Sequence, residues 1–257
     1  MNDLQLSLRQ VWYLNKAFLR NPASAFFTLV FPLMFLVIFT TIFGSGTIRV
    51  GPGKAISVAT FYVPAISAFS VITACYSNIA ISLSFSRDSG ALKRIRGSPM
   101  PVWAYMAARI VHSVIIAILL VAICSAFGAV FYHATLPTQT LPAFALTLIV
   151  GAATFCALGV AVTAVIPNAD AAPAVVNASI LPLLFISNVF IPLQNPPPWL
   201  DLLGKIFPVR HFADALSASF FALTGSGLHT NDLLVIGAWG VAGLILATRF
   251  FDWEPRT

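Results

Sequence analysis

The chain has 257 residues, 59% of them hydrophobic and only 9% charged, against about 25% charged in an average soluble domain. Too few polar side chains exist to coat a globule in water, which excludes an ordinary soluble protein and leaves an integral membrane protein built as one bundle of helical spans. The net charge of +6 does not point to nucleic acid, because the basic residues sit at the edges of apolar segments, where they orient spans.

The first predicted element is an amphipathic helix from Asp3 to Arg20. At 100° per residue, Lys16 and Arg20 fall within about 20° of Arg9. Leu4, Leu8, Val11, Trp12, Leu14, Phe18 and Leu19 take the opposite side, with Leu6 the exception. Such a helix suits the inner membrane surface, with Arg9, Lys16 and Arg20 toward the headgroups and Trp12 toward lipid. A water-exposed helix packed on its own protein is the plain alternative. The charged start, followed by an apolar run too long for an h-region, is not a signal peptide. Asn21-Pro22 turns the chain into a first span, Ala23 to Phe43. Gly44-Ser-Gly ends it, Gly51-Pro-Gly-Lys54 marks a loop, and Ala55 to Ser86 gives the second span.

The stretch SRDSGALKRIRGSPMP, Ser86 to Pro101, interrupts this apolar pattern. As a short helix from Arg87 to Arg96 it places Asp88, Ala91, Leu92 and Ile95 on one side, stacks Arg87 on Arg94 and turns Lys93 and Arg96 away. Gly97-Ser-Pro99 stops it and Pro101 prevents an early return. Any cytoplasmic loop is apt to be basic. A short amphipathic helix with defined ends asks for more, and a docking element for a soluble partner answers both features.

Ile110 to Ala169 carries no formal charge and is long enough for two spans, broken at His133-Ala-Thr-Leu-Pro137. Pro167-Asn-Ala-Asp170 forms the next turn, and Ala171 to Pro192 is the fifth span. After Asn195-Pro-Pro-Pro198 come two short helices, Trp199 to Phe207 and Pro208 to Phe221. They carry Asp201/Lys205 and Arg210/Asp214 at i,i+4, with Pro208 at a helix start. Such a pair either folds as an ordinary loop or dips back into the membrane where protein covers it. Leu233 to Phe250 is the sixth span. Gly237, Gly240 and Gly243 there, and Ala157 and Ala161 on the fourth, form small-residue sides for packing. Pro32, Pro64, Pro173 and Pro182 lie in or near spans and predict kinks. Cys75, Cys124 and Cys156 show neither CxxC pairing nor zinc spacing and read as buried small residues.

With the N-terminus inside, the inner segments hold Arg9, Lys16, Arg20, Arg87, Lys93, Arg94, Arg96, Arg109, Arg249 and Arg256. The outer ones hold only Arg49, Lys54, Lys205 and Arg210. This asymmetry predicts both termini in the cytoplasm.

R-D-S-G-A-L-K-R-I-R-G-S-P-M-P resembles the cytoplasmic segment of ABC type-2 exporter permeases, with Asp88, Gly90, Ala91, Leu92, Lys93, Arg94, Ser98 and Pro99 in the matching places. Asp88 stands where Glu is frequent and Ala91 where Thr is. The resemblance implies a single permease domain, 1–257, with a coupling segment, 87–99, that touches a nucleotide-binding ATPase subunit. Arg87, Ile95 and Arg96 fall in the same contact. It also implies a re-entrant helical pair after the fifth span, within 193–230, acting as an outer gate around Pro197, Trp199, Pro208, Arg210 and Asp214. The expectation is an all-α protein of six transmembrane helices in a bacterial cytoplasmic membrane. It pairs with a second permease copy or a related one and moves an amphiphilic substrate: a drug, an antibiotic or a lipid.

No G-x-x-x-x-G-K-[ST], H-E-x-x-H or G-x-S-x-G occurs in the sequence. No cofactor is expected on this chain, and ATP with Mg belongs to the partner. Three readings compete with drug or lipid export: polysaccharide or glycolipid export by the same architecture, a non-transporting scaffold, and an intramembrane enzyme. The enzyme has only His112 beside Ser113, and the outer His133, to draw on. Asn78, Asn177 and Asn188 are span polar groups that need partners.

Overall fold

A computed structural model describes residues 3–43, 46–51, 54–98, 100–192, 196–222 and 225–254, with side chains for all of these except 49–51 and 54. Pro99 and part of the 193–230 connection therefore lie outside the described residues.

Helix α1, Asp3–Arg20, ends at Asn21, whose Oδ1 accepts the Ser24 N–H at 3.1 Å. With Pro22 at the first helical position, this cap starts α2, Pro22–Phe43. Helix α2 is apolar all round, and Phe26, Phe27, Met34, Ile38 and Ile42 are exposed along it. Such a helix is stable only against lipid or a further partner.

The segment beyond α2 departs from the expected loop. Strands β1, Thr47–Gly51, and β2, Lys54–Ser57, form an antiparallel hairpin pairing Thr47 with Ser57 and Ile48 with Ile56. The second span thus begins at Val58 rather than Ala55, because the Ser57 hydroxyl caps it by accepting the Thr60 N–H.

That span runs as α3, Val58–Ile72, a π turn, Thr73–Ser77, and α4, Asn78–Asp88. In its most apolar window 83% of residues are buried, against 17% for α2, so α3–α4 is the axis of the bundle. The expected helix from Arg87 to Arg96 is broken. Gly90 takes a φ of +69° between α4 and a six-residue α5, Ala91–Arg96, and a side-chain-free residue allows this sharp left-handed turn. Arg87 and Arg94 therefore do not stack.

Helix α6, Val102–Tyr132, ends where His133 adopts φ +52°, at the expected break. Helix α7, Leu141–Val162, closes with a 3₁₀ turn, Thr163–Val165. Its Gly159 lies against the π turn, where a Cβ would meet the Tyr76 carbonyl at 2.8 Å. Helix α11, Thr230–Phe250, packs on α7 through Gly240 and Gly243, and Thr154 Oγ1 donates to the Ile236 carbonyl at 3.0 Å. Gly237, expected in the same seam, has nothing within 4 Å of its Cβ position. The cysteines are free and buried, as expected.

The fifth expected span, Ala171 to Pro192, is shorter as a helix. Helix α8 covers only Ala172–Phe185, 14 residues, roughly 21 Å of helix against about 30 Å of hydrocarbon. Pro182 removes one backbone donor near its end, and Asn188 turns the chain at φ +58°. Ser187, Val189 and Phe190 continue it as buried irregular backbone, and Tyr62 Oη donates to the Phe190 carbonyl at 3.1 Å. Among the described residues five helical segments are long and apolar enough to cross a membrane. The chain is thus a mostly helical, multi-pass membrane protein with one small hairpin.

Candidate functional site

The basic segment lies at one end of the bundle. Arg87 is 2% exposed, and its role follows from where its donors go. Nη1 donates to the Thr163 carbonyl at 3.1 Å, Nη2 to Ile166 O at 2.7 Å, and Nε to Asp88 Oδ1 at 3.3 Å. The last carbonyls of a helix have no internal partner, so a cation there satisfies both hydrogen bonding and the helix dipole. Asp88 Oδ2 in turn accepts the Ala169 N–H. Arg87 and Asp88 together clamp the end of α4 to the turn between α7 and α8.

Arg87 was expected on the contact surface. The structure puts it inside, because it continues the buried side of α4 formed by Ile79, Ala80, Leu83 and Ser84, which carries it into the bundle. Leu92 is also fully buried. Ile95 is half-buried, while Lys93, Arg94 and Arg96 are exposed. Arg94 Nη2 reaches the Ser89 carbonyl at 3.4 Å. The basic side chains thus project from a short helix whose other face is anchored.

Helix α1 packs on α6 at the same end, where Phe18 contacts the His112 ring and His112 Nδ1 lies 2.8 Å from Asn15 Oδ1. Its apolar side divides in two. Ser7, Val11, Leu14 and Phe18 face the bundle, and Leu4, Leu8, Trp12 and Leu19 are exposed. Arg9, Lys16 and Arg20 occupy the remaining side and are exposed. Lys16 Nζ sits 4.6 Å from the Trp12 ring, and Arg9 bonds Tyr13 Oη. No hydrogen bond joins His112 to Ser113 among the described residues, which deprives the enzyme reading of its base–nucleophile pair.

The opposite, hairpin end holds α9, Pro198–Ile206, and α10, Pro208–Phe221. Both i,i+4 pairs form: Lys205 with Asp201 at 2.6 Å and Arg210 with Asp214 at 3.6 Å. Arg210 also reaches Asp201 at 2.8 Å and so ties the helices together. Lys205 and Arg210 hold the Asp201 carboxyl below the usual carboxylate range. Gly204 lets this elbow close on α8, since a Cβ there would meet both Arg210 Cδ and the Ile186 carbonyl at 2.9 Å. Pro208 is buried, whereas Pro197 and Trp199 are exposed.

The elbow lies deep. Phe212 fills the space left by Gly151, ten residues after Leu141, roughly 15 Å along α7. Trp239 Nε1, well inside α11, donates to Ile206 O at 2.8 Å. The far end of α10 is level with the start of α7, where Thr140 Oγ1 donates to Ser219 O.

The sequence profile of the ABC-2 type transporter family matches residues 8–221, from the first helix through α10. The chain belongs to the ABC-2 type transporter family. It is similar to "Putative transport permease YvfS" of Bacillus subtilis (strain 168), 22% identical over 90% of this chain and 91% of the relative. It is likewise similar to "Inner membrane transport permease YadH" of Escherichia coli (strain K12), 24% identical over 88% of this chain and 86% of that one. "Probable multidrug ABC transporter permease YbhR" of the same strain is 25% identical over 60% of this chain and 42% of its own.

In this ABC-2 family member four polar links, in two groups, escaped sequence reasoning. Asn188 Nδ2 donates to Asp214 Oδ1 at 3.0 Å, across the break after α8. His211 Nδ1 lies 2.6 Å from Asp232 Oδ1, and His229 Nδ1 2.8 Å from Asp232 Oδ2. His211 Nε2 faces the Lys205 carbonyl at 2.8 Å. A signal existed for the first, since an intramembrane Asn needs a partner. Nothing in the spacing of residues 211, 229 and 232 announces the second group, which only the docking of α10 on α11 assembles.

Proposed function

We propose that this chain is the membrane-spanning subunit of an ATP-driven exporter, with the ATPase, its ATP and its Mg carried by a partner chain. The observation that carries the reading is the anchored basic segment. Lys93, Arg94 and Arg96 point to solvent from a short helix whose neighbours Arg87 and Asp88 bind the end of α7. A push on that surface is delivered to two spans at once instead of being lost in a slack loop. Pro99 is part of the same expected contact. A second permease copy, identical or related, completes the pathway and covers part of the exposed apolar surface.

Six crossings with both termini in the cytoplasm fit this reading, α8 and the irregular 186–192 segment together making the fifth. Such backbone is tolerated at membrane depth where protein covers it, and the burial of Ser187, Val189 and Phe190 supports that. In the same frame α1 is an interfacial helix on the cytoplasmic leaflet, and α9–α10 a re-entrant outer gate around Pro197, Trp199, Pro208, Arg210 and Asp214. A bacterial cytoplasmic membrane is the expected location. The substrate class is amphiphilic: a drug, an antibiotic or a lipid. The rings of Phe35, Phe39, Phe69 and Phe190, 5.3 to 5.7 Å apart, supply an aromatic wall suited to one. The similarity to YbhR, named a probable multidrug ABC transporter permease, supports drug export by analogy. Polysaccharide or glycolipid export remains the second reading, because an aromatic wall also stacks on sugars.

The test is affinity purification in mild detergent with assay of ATP hydrolysis. A stoichiometric Walker-motif partner, lost when Arg94 and Arg96 are reversed to Glu, is the expected result. A partner-free chain, reproduced under gentler extraction, overturns the reading in favour of a scaffold.

A further inference from the structure

A polar cavity of about 100 Å³ opens between α1, α4 and α6. Asn78, Ser82, Arg109, His112 and Ser113 form its polar wall and Leu14 and Ile79 its apolar one; among the described residues no carboxylate lines it, and Arg109 is the one Lys or Arg that does. The guanidinium is held flat by three hydroxyls: Nε to Tyr105 Oη at 2.7 Å, Nη1 to Ser82 Oγ at 2.7 Å and Nη2 to Ser86 Oγ at 2.6 Å. The Tyr105 ring lies 5.0 Å from its carbon. All these partners are neutral, and no acidic residue lies in salt-bridge range of Arg109 among the described residues. A partly buried arginine oriented by three hydrogen bonds and left without a counter-charge is prepared for an anion. Its planar fork matches phosphate oxygens, and two of its five N–H groups remain for them.

Depth identifies the source of that anion. Helix α6 has 31 residues, roughly 46 Å, and overshoots a hydrocarbon core of about 30 Å by about 8 Å at each end. Arg109 is seven residues into α6, about 10 Å, so with α6 centred on the core its backbone lies about 2 Å inside the boundary, from which a long side chain reaches outward to the phosphate level. Exposed Trp103 lies six residues before Arg109 on α6, about 9 Å toward the end of the bundle, and is of the type that favours membrane interfaces. We propose that the cavity between α1, α4 and α6 binds the phosphate of an anionic membrane phospholipid, with Arg109 as its cation. Exposed Leu4, Leu8 and Leu19 of α1 would lie beside the acyl chains. A basic pocket between spans at headgroup level is a known physical solution for lipid recognition. The site needs only that the chain is embedded in a bilayer and is independent of the cargo and of the ATPase partner.

The test is lipid retention by the purified chain in neutral detergent, read by native mass spectrometry. The probes are phosphatidylglycerol, phosphatidylcholine and inorganic phosphate. Wild type should retain phosphatidylglycerol at least tenfold over phosphatidylcholine. Arg109→Lys should keep most of that ratio and Arg109→Gln should bring it to about one, while Arg249→Gln, an exposed cation at the same end, leaves it unchanged. If Arg109→Gln does not fold, Leu14→Trp, which fills the cavity and keeps the arginine, must lose the selectivity instead. Equal retention of the two lipids by wild type overturns the proposal, as does undiminished selectivity in a folded Arg109→Gln or, failing that, in Leu14→Trp. Inorganic phosphate that displaces phosphatidylglycerol at millimolar concentration shows a free-anion site and overturns the lipid source.

Discussion

Two arginines seven positions apart in one basic run do different things, and burial decides which. Arg87 spends its donors on carbonyls at the end of α7 and on Asp88, out of water. Truncating it takes a donor from each carbonyl and leaves the Asp88 carboxylate without its cation, and breaking a buried pair in this way costs about 3–5 kcal/mol. Arg87→Ala should therefore lower the melting temperature of the detergent-solubilised chain sharply. Arg87→Lys should recover only part of the loss, since one ammonium cannot span the three acceptors. Arg94 and Arg96 are solvated, and their reversal to Glu should change stability by no more than about 0.5 kcal/mol while abolishing co-purification of the ATPase. The two measurements separate a residue that shapes the segment from residues that form its outer surface. Similar melting losses for Arg87→Ala and Arg94→Glu would contradict the division. Gly90→Ala belongs with Arg87: its φ of +69° strains any side chain, although open space surrounds it. A cost of about 1 kcal/mol is expected.

Among the elements, those ruled by composition and local chemistry were legible and those ruled by tertiary closure were not. Asp3–Arg20, the break at His133 and the start of α10 at Pro208 follow from periodicity and from proline or turn residues, and each stands within the expected bounds. The division of α1 into a bundle side and a free apolar side was not legible, because one stripe of leucines looks the same whether lipid or protein covers it. Residues 171–192 read as one apolar span, yet the helix stops at Phe185. Hydropathy registers the burial of Val189 and Phe190 but not the turn at Asn188 that Asp214 holds. The same blindness hid the second ion pair of Arg210. Both intrahelical pairs were readable at i,i+4, whereas the Asp201–Arg210 link exists only because α9 folds back on α10. If that link fastens the pair, Asp201→Asn and Arg210→Gln should be non-additive. A double-mutant cycle on thermal stability should return a combined loss smaller than the sum of the two single losses, and purely additive losses would show that the two helices dock without it.

At the scale of the molecule, the two ends of the bundle carry opposite equipment and are joined by α8 and its irregular extension. The basic end gathers α1, the Arg87–Asp88 clamp and the turn before α8. The hairpin end gathers α9, α10 and the start of α11, tied by His211 and Asp232. Helix α8 starts one residue beyond the turn that Asp88 clamps, and its continuation reaches Tyr62, near the start of α3 at the hairpin end. Chain from residue 172 to residue 190 therefore runs from the basic end of the bundle to the hairpin end whether or not all of it is helical. The proposed fifth crossing would put Pro197 on one side of the membrane, and Ser89 and Glu254 on the other. The excess of Lys and Arg at the basic end is the ground for the proposal that this end faces the cytoplasm. Single cysteines test this directly, against a low background because Cys75, Cys124 and Cys156 are buried. Pro197→Cys should react with an impermeant maleimide added to intact cells, and Ser89→Cys and Glu254→Cys only after permeabilisation. If residue 197 were protected together with residue 89, α8 and its irregular extension would be a re-entrant excursion from the basic end. The exposed apolar face of α9, with Trp199, Leu202 and Ile206, would then have to meet the cytoplasm, the least favourable place for it.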